Sequence, residues 1–240
     1  MAVTFFRQRR AGPEVLVEDA VADQLHDLFS SDDYPLWAGG SPPIGAGRPD
    51  LVVVSCVPKV YALAQTEVST AQILAYLRVV GRARLETIVE RLGRTEATVV
   101  RCLEGLCQVD AVRAESSVYC LTADWREILP EIVTIEVKVT DWRKAVSQAA
   151  RNRVFAHRSF VALPEPVATR VRRHRCFGQL GIGILGVSQD DDVRIVRQGR
   201  RHRPRVWRYY YELACIVANH SKGVRDALHC PSCAGSGGLS

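Results

Sequence analysis

The stretch that decides the fold is Ile-Val-Thr-Ile-Glu-Val-Lys-Val, residues 132–139. It is rich in β-branched residues, which is typical of a buried β-strand. Two charged residues, Glu136 and Lys138, interrupt the apolar run. They lie two positions apart, so both side chains leave the same face of the strand. Because an unpaired buried charge is costly, the stretch is either an edge strand with one solvated face or a core strand with a polar site.

A second apolar strand is expected at Pro-Asp-Leu-Val-Val-Val, residues 49–54. The two strands together supply Asp50, Glu136 and Lys138 in the pattern Pro-Asp, then Glu-x-Lys. With this pattern the chain resembles the PD-(D/E)xK nucleases, a superfamily with the restriction-endonuclease-like fold. The resemblance implies an α/β protein with a mixed-sheet core and a metal-dependent nuclease activity.

The resemblance also implies a role for each residue of the pattern. Asp50 and Glu136, with the carbonyl group of Val137, are expected to bind Mg²⁺, or Mn²⁺ in its place, because both ions prefer oxygen ligands. Lys138 is expected to orient or activate the attacking water. A glutamate on the helix before the first strands often leans toward the metal in this superfamily. Glu18 is the candidate here, with a solvated helix face as the alternative reading.

The segment after the Glu-x-Lys strand continues the order of elements in the superfamily, with strands expected at 159–164 and 180–187. A helix is expected over residues 143–155, and Gln148 stands where many members carry a glutamine. A tyrosine often follows four residues later in those proteins, and here that position is Asn152. Candidates for contacts with DNA phosphates on the same helix are Lys144, Gln148, Arg151 and Asn152. A solvated helix face is the alternative. Nearer the start of the chain, the turn-rich residues 30–48 predict a loop, and the apolar run at 60–64 is a candidate strand.

Residues 69–122 differ in character from the rest of the chain. Three short helices with apolar residues at helical spacing precede two expected strands around a polar turn. This order resembles a winged helix-turn-helix, in which the helix after the tight turn reads DNA. The candidate contacts with DNA are Arg94, Thr95, Thr98 and Arg101. Small helical modules also bind proteins, so a protein partner is left open.

This module separates Asp50 from Glu136 by 86 positions (136 minus 50), where the superfamily usually has only a hairpin. An inserted domain explains the separation, because loop tips tolerate insertions. If so, a short linker in place of the module should leave a folded core. The expected parts are a discontinuous nuclease-like core at 1–65 and 128–240, a winged-helix insert at 66–127, and a flexible tail at 234–240.

Composition and charge agree with a globular protein that binds a polyanion. The 240 residues are 47% hydrophobic and 24% charged, and the net charge is +6. Codon bias in a GC-rich genome is the alternative account of the many arginines. The resemblance implies DNA as the partner, and a homodimer is left open. Arg200 and Arg201 are further candidates for contacts with DNA, beside aromatic residues at 207–211 that suit base stacking. A solvated loop before a helix is the alternative reading of this basic tail.

The sequence does not predict a membrane protein. No apolar run is long enough to span a bilayer, and residues 4–10 lack the apolar centre of a signal peptide. Eight cysteines in a chain of this length do not form a recognisable disulfide framework. We therefore expect a cytoplasmic protein with reduced thiols. Cys230 and Cys233 supply half a zinc site, without a second pair of ligands at matching spacing.

Hydrolysis of DNA phosphodiester bonds is thus the expected activity. No Gly-x-Ser-x-Gly motif or phosphate-cradling glycine loop competes as a site of chemistry. Two alternatives stay open. One is a catalytically inactive DNA-binding regulator or assembly protein on a nuclease-like scaffold, and the other is a protein-interaction adaptor that uses the helical module.

Overall fold

A mixed sheet of seven strands forms the centre of the protein in a computed structural model, which describes residues 2–9, 11–30, 33–45, 47–64, 66 and 68–221. Cys230, Cys233 and the expected tail at 234–240 lie outside the described residues. Within those ranges the strands are β1 (Thr4–Phe5), β2 (Leu36–Gly40), β3 (Leu51–Ser55), β4 (Arg82–Arg84), β5 (Val112–Glu115), β6 (Val118–Leu121), β7 (Glu131–Val137), β8 (Arg158–Pro164), β9 (Gly183–Val187) and β10 (Val193–Arg197).

Helices cover the sheet and form most of a second module. In the described ranges they are α1 (Pro13–Phe29), α2 (Val68–Val80), α3 (Leu85–Leu92), α4 (Glu96–Gln108), α5 (Trp142–Asn152), α6 (Glu165–Val171), α7 (Arg175–Leu180) and α8 (Trp207–His220), with 3₁₀ turns at Pro58–Leu63 and Ala123–Trp125. None of these helices has the length and apolar character needed to cross a bilayer. The six cysteines in the described ranges are free thiols.

The large sheet has the strand order β1-β2-β3-β7-β8-β9-β10. Strands β2, β3 and β7 pair in antiparallel fashion, whereas β7, β8 and β9 are parallel. The parallel pairs are joined through α5 and through α6 with α7, because parallel neighbours need a crossover connection. The architecture is therefore α/β with a mixed sheet, as the sequence predicts.

Side chains on β3 and β7 alternate between two apolar layers, as the two-residue period of a strand requires. Val53 and Val133 pack with α1 on one face. Val52 and Ile132 pack with α8 on the other face. Helices α5, α6 and α7 cover β8 and β9 in a third apolar cluster. With apolar layers on both faces, the charged residues of β7, Glu131 and Glu136, lie near its two ends.

The second module has three helices, α2 to α4, and a three-stranded sheet in the order β4-β6-β5. Gly93 closes α3 in the left-handed conformation (φ 60°), which glycine adopts at no steric cost. The turn into α4 is therefore as tight as the sequence indicates. Strand β4, only three residues long, was not expected from the sequence.

Helix α2 of this module packs along α8 of the sheet domain. Leu74 and Leu77 of α2 belong to the same apolar cluster as Leu213 and Val217 of α8, and all four are fully buried. The module and the sheet thus share one continuous core. Helix α8 would lose its partner if the module were removed, so we now expect excision to destabilise the core.

Three segments differ from their expected structure. The run at 60–64, a candidate strand, lies in a 3₁₀ turn whose first residue is Pro58. The segment at 30–48, expected to be a loop, contains β2. The glycines of this strand suggest turns, but in the structure they leave room for aromatic rings. A Cβ on Gly40 would lie 2.1 Å from an atom of the Phe5 ring. Finally, the strand expected over 180–187 is present as β9 but begins later, at Gly183, because α7 ends at Leu180.

Candidate active site

The register of β3 against β7 brings Asp50 and Glu136 together. Leu51 pairs with Ile135 in this antiparallel ladder. One step further along, Asp50 stands across from Glu136, on the neighbouring strand. Directly opposed residues have Cβ atoms only about 5 Å apart. The 86 positions between these residues (136 minus 50) are therefore spanned by the helical module without separating the two carboxylates.

Asp50 is fixed at the mouth of the site by the backbone of β7. Its Oδ2 accepts a hydrogen bond from the Val137 N–H at 2.8 Å. Its Oδ1 lies 3.9 Å from a guanidinium nitrogen of Arg7. Burial raises the pKa of the Asp50 carboxyl, whereas the Val137 N–H and the charges of Lys138 and Arg7 oppose that shift. One carboxylate oxygen is thus held by the strand, and the other lies near Arg7.

Glu136 lies deeper, with 2% of its surface exposed. Its Oε1 accepts a hydrogen bond from the Asn152 side-chain amide at 2.7 Å. Its Oε2 is buried and has no hydrogen-bond partner among the described residues. A buried carboxylate oxygen without a partner is costly, so this atom is suited to a ligand that brings positive charge.

The electrostatics of the pair favour an added cation. Burial, and then the neighbouring charge of Asp50, raise the pKa of Glu136 to about 8. The Asn152 hydrogen bond and the charges of Lys138 and Arg151 act in the opposite direction. Two carboxylates this close repel each other when both are ionised, and a bound cation relieves that repulsion.

Lys138 lies between the carboxylates and the first helix. Its Nζ donates to the Val137 carbonyl oxygen at 2.7 Å and to Oε2 of Glu14 at 3.1 Å. The same nitrogen lies 3.9 Å from Oδ2 of Asp50. The Val137 carbonyl, expected to face the metal, therefore accepts a hydrogen bond from the lysine in this structure.

A cleft of about 500 Å³ opens in front of Asp50 and is bordered by α1. Glu18 lines this cleft, as do Glu14 and Arg7. Burial, and then the charge of Asp50, raise the pKa of Glu18 to about 7. Glu18 thus stands beside the aspartate. Glu136 does not line the cleft and lies behind Asp50.

Helix α5 contributes from the other side. Gln148 precedes Asn152 by one turn, so the two side chains share a helix face. The Gln148 Oε1 atom is buried without a hydrogen-bond partner among the described residues. Arg151 is exposed, yet close enough to Glu136 for its charge to lower the pKa of that carboxyl. Lys144 is exposed near the start of the helix, and its backbone N–H donates to Asp141.

The DNA-binding candidates of the helical module lie at the start of α4. Arg94, Thr95 and Arg101 are exposed, and Thr98 is partly buried. The Arg94 Nε donates to Gln72 at 3.3 Å, and the hydroxyls of Thr95 and Thr98 are 2.9 Å apart. This surface belongs to the module and contributes no residue to the carboxylate cleft.

The two arginine candidates of the basic tail, Arg200 and Arg201, do not lie at the carboxylate pair. Arg201 donates to Oε2 of Glu131 at 3.0 Å and to the Pro130 carbonyl at 2.8 Å. Glu131 begins β7, whereas Glu136 is near its end, so Arg201 lies at the opposite end of the strand, about 17 Å away at 3.3 Å per residue. Arg200 is exposed.

The expectation of base stacking fails for two of the aromatic residues in the tail. Tyr210 and Tyr211 are buried in the core. Their hydroxyls bond the backbone of Leu129 and Trp125. These rings are part of the α8 packing, because an apolar helix face buries its aromatics.

The sequence did not predict the part that three residues play in the site. Two of them were not candidates, and the third was given another role. Asn152 was expected to face DNA phosphates, yet it holds Glu136. Glu14 precedes Glu18 by four positions, a spacing that puts both on one helix face and could have indicated its place. Arg7 reaches Asp50 from the segment before α1, and no periodic signal marks that contact.

No protein-family model, curated protein or solved structure matches the chain. Within the described ranges, no three His, Cys, Asp or Glu side chains are already arranged to hold a metal ion. The function must therefore be argued from the two carboxylates, the lysine and their surroundings.

Proposed function

We propose that the chain is a metal-dependent DNA endonuclease, with a winged helix that chooses the target. The observation that carries the proposal is the pairing of Asp50 with Glu136 at the end of β3 and β7, beside Lys138. Two carboxylates with raised pKa values, next to one ammonium group, are the chemistry expected of a site that binds a divalent cation.

The residues present fit Mg²⁺ or Mn²⁺ as the cofactor. Mg²⁺ is commonly held by one or two carboxylates and keeps several water molecules, so a cluster of three protein ligands is not required. Glu136 offers a buried oxygen that has no partner within the described ranges, and Asp50 offers the oxygen that Val137 does not use. When bound, the ion lowers the pKa of a coordinated water and stabilises negative charge on the phosphoryl group.

The protein groups around the pair support hydrolysis. The Lys138 ammonium is held on two sides, which keeps a positive charge close to the carboxylates for orienting the water or neutralising charge. Glu18, with a pKa of about 7, can take up a proton near neutral pH at the wall of the same cleft. Asn152 acts indirectly, because it holds one oxygen of Glu136 in place.

The finer fold assignment is part of the same proposal. The antiparallel run β2-β3-β7, followed by α5 and the parallel strand β8, supports a restriction-endonuclease-like core. The helices and three-stranded sheet at 66–127 support a winged helix-turn-helix placed between the two site strands. DNA is the proposed partner because the net charge is +6 and two arginines are exposed at this helix, Arg94 just before α4 and Arg101 within it.

A catalytically inactive DNA-binding protein on this scaffold is the second candidate. Lys138 is paired with Glu14, and Asp50 already accepts a backbone hydrogen bond, so the site is satisfied in part without an ion. A site of this kind could survive for its packing alone.

Incubation of the purified protein with supercoiled plasmid separates these candidates. A nuclease should convert the plasmid to nicked or linear form with Mg²⁺ or Mn²⁺, and not with EDTA. Fluorescence anisotropy with a labelled duplex in EDTA measures binding independently of cleavage. Salt-sensitive binding without cleavage at any divalent ion concentration would favour the inactive regulator.

A further inference from the structure

The segment at 198–206 carries basic side chains that the proposed active site does not use. Its backbone is pinned to the sheet domain at three places. The Arg200 N–H donates to Gly181, the His202 N–H donates to His157, and the Arg205 N–H donates to Val154, at 2.7 to 2.9 Å. The side chains on this segment are therefore held in place by the fold.

One side of this segment faces the end of α5. Arg153 follows Asn152 directly, and one of its terminal nitrogens lies 3.0 Å from Nδ1 of His202. A guanidinium has no acceptor atom, so it must donate, and Nδ1 must accept. His202 is thus the neutral tautomer with its proton on Nε2. Burial, and then the charges of Arg153, Arg200 and Arg205, lower the pKa of His202, which keeps the ring neutral.

Positive charge accumulates here without a carboxylate to balance it. Burial, and then the charges of Arg205 and Arg200, lower the pKa of Arg153. In the described part of the chain, none of these three arginines forms an ion pair with an acidic side chain. Arg200 and Arg205 are exposed residues. Like charges held together raise the local potential, and an anion that bridges them would relieve their repulsion.

We propose that Arg153, Arg200 and Arg205 bind a phosphate group of a nucleic acid, with His202 as the residue that positions Arg153. These four residues are called the Arg153 cluster. Guanidiniums bind phosphate oxygens through paired hydrogen bonds, and a pinned segment loses little freedom on binding.

The location of the cluster links it to the carboxylates, so this proposal rests on the proposed nuclease function. Asn152, which holds Glu136, and Arg153 are neighbours in the chain. The segment at 198–206 nevertheless runs past the start of β7, where Arg201 pairs with Glu131. A phosphate bound at the cluster would therefore anchor the substrate at a distance from the bond that is cut. The group is either an internal phosphodiester or a terminal phosphate, since both present the same oxygens.

The test is DNA binding in EDTA by the double variant Arg200→Gln/Arg205→Gln, measured by fluorescence anisotropy over a range of salt concentrations. The matched control, Arg170→Gln/Arg173→Gln, removes the same charge from exposed positions of the α6 segment. The cluster variant should bind about tenfold or more weakly than the wild type. The slope of log affinity against log salt concentration should become shallower by about 0.9 for each lost phosphate contact.

Two duplexes identify the source of the phosphate. Loss of affinity for a duplex with 5′-hydroxyl ends supports an internal phosphodiester, and loss confined to a 5′-phosphorylated duplex supports a terminal phosphate. Affinity of the cluster variant equal to that of the control for both duplexes would overturn the proposal. His202→Asn, which retains an acceptor for Arg153, should keep more affinity than His202→Leu. Equal affinities of these two variants would remove the positioning role.

Thermal stabilisation by inorganic phosphate, at constant ionic strength, tests the cluster without DNA. A ligand that binds the folded state raises its melting temperature. Phosphate should stabilise the wild type and the Arg170→Gln/Arg173→Gln control, and not the cluster variant. If the wild type shows this stabilisation and yet neither binds nor cuts DNA, the anion site stands and the nuclease function fails. If the wild type cuts DNA and both variants respond equally to phosphate, the cluster fails and the nuclease function stands.

Discussion

Metal affinity should depend on pH because Glu136 must lose a proton before it can bind a cation. With a pKa of about 8 in the metal-free protein, most Glu136 side chains are protonated at neutral pH. The apparent dissociation constant then exceeds the intrinsic one by about 100-fold at pH 6, about 11-fold at pH 7 and about twofold at pH 8. Affinity should therefore rise about 50-fold between pH 6 and pH 8 and level off above that range.

Mn²⁺ is a suitable probe, because its free aquo ion gives a strong electron paramagnetic resonance signal that is lost on binding. We would titrate the protein with Mn²⁺ at half-unit steps from pH 6 to pH 9. Calorimetry in buffers of different ionisation enthalpy should also show release of about 0.9 proton for each ion bound at pH 7.

Three variants identify the group that titrates. Glu136→Gln should bind the ion weakly at every pH. Asn152→Ala removes a hydrogen bond that lowers the pKa of Glu136, so its affinity should level off at a higher pH than in the wild type. Glu18→Gln removes the other carboxyl with a raised pKa and should retain the rise above pH 7. Affinity that changes less than about twofold from pH 6 to pH 8 in the wild type would refute a protonated Glu136 at this site.

Four further expectations follow from individual contacts. Lys138→Ala should slow turnover more than it weakens Mn²⁺ binding, and an unchanged rate constant would remove the lysine from the mechanism. Tyr210→Phe should lower the free energy of unfolding by about 1–3 kcal/mol in urea denaturation, because the buried Leu129 N–H loses its acceptor; Tyr209→Phe, at a half-buried ring, should cost less. Arg94→Ala and Arg101→Ala should each weaken DNA binding and reduce its salt dependence, and the absence of both effects would indicate a protein partner for the module. Replacement of residues 66–127 by a short linker should expose the apolar face of α8 and give a core that binds a hydrophobic dye, whereas a compact, cooperatively unfolding core would show an independent insert.

The two site strands could be predicted from the sequence for a physical reason, whereas their pairing was expected only from the resemblance to the PD-(D/E)xK nucleases. Each of the two strands is short, apolar and rich in β-branched residues, with charged residues at or beside its ends. In a buried sheet, such charges can only lie at strand ends or against partners. Asp50 and Glu136 satisfy both conditions.

Other features depend on contacts between distant residues, which local patterns do not encode. The glycines of β2 suggest a turn in the sequence. In the structure, Gly40 is part of a strand, and its lack of a side chain makes room for the Phe5 ring. The shared core of α2 and α8 joins residues that are more than a hundred positions apart, and each helix alone has an ordinary apolar face. Asn152 looks like a solvated helix residue in the sequence, and only the crossing of α5 over β7 brings it to Glu136.

The most direct measurement of the central claim is the plasmid cleavage rate, at saturating Mg²⁺, of Asp50→Asn and Glu136→Gln. Asp23→Asn, at an exposed position on α1, is the matched control. We predict that both site variants lose at least about a hundredfold in rate, that DNA binding in EDTA is retained, and that Asp23→Asn cuts like the wild type. Cleavage at the wild-type rate by either site variant would contradict the assignment of the active site to these two carboxylates.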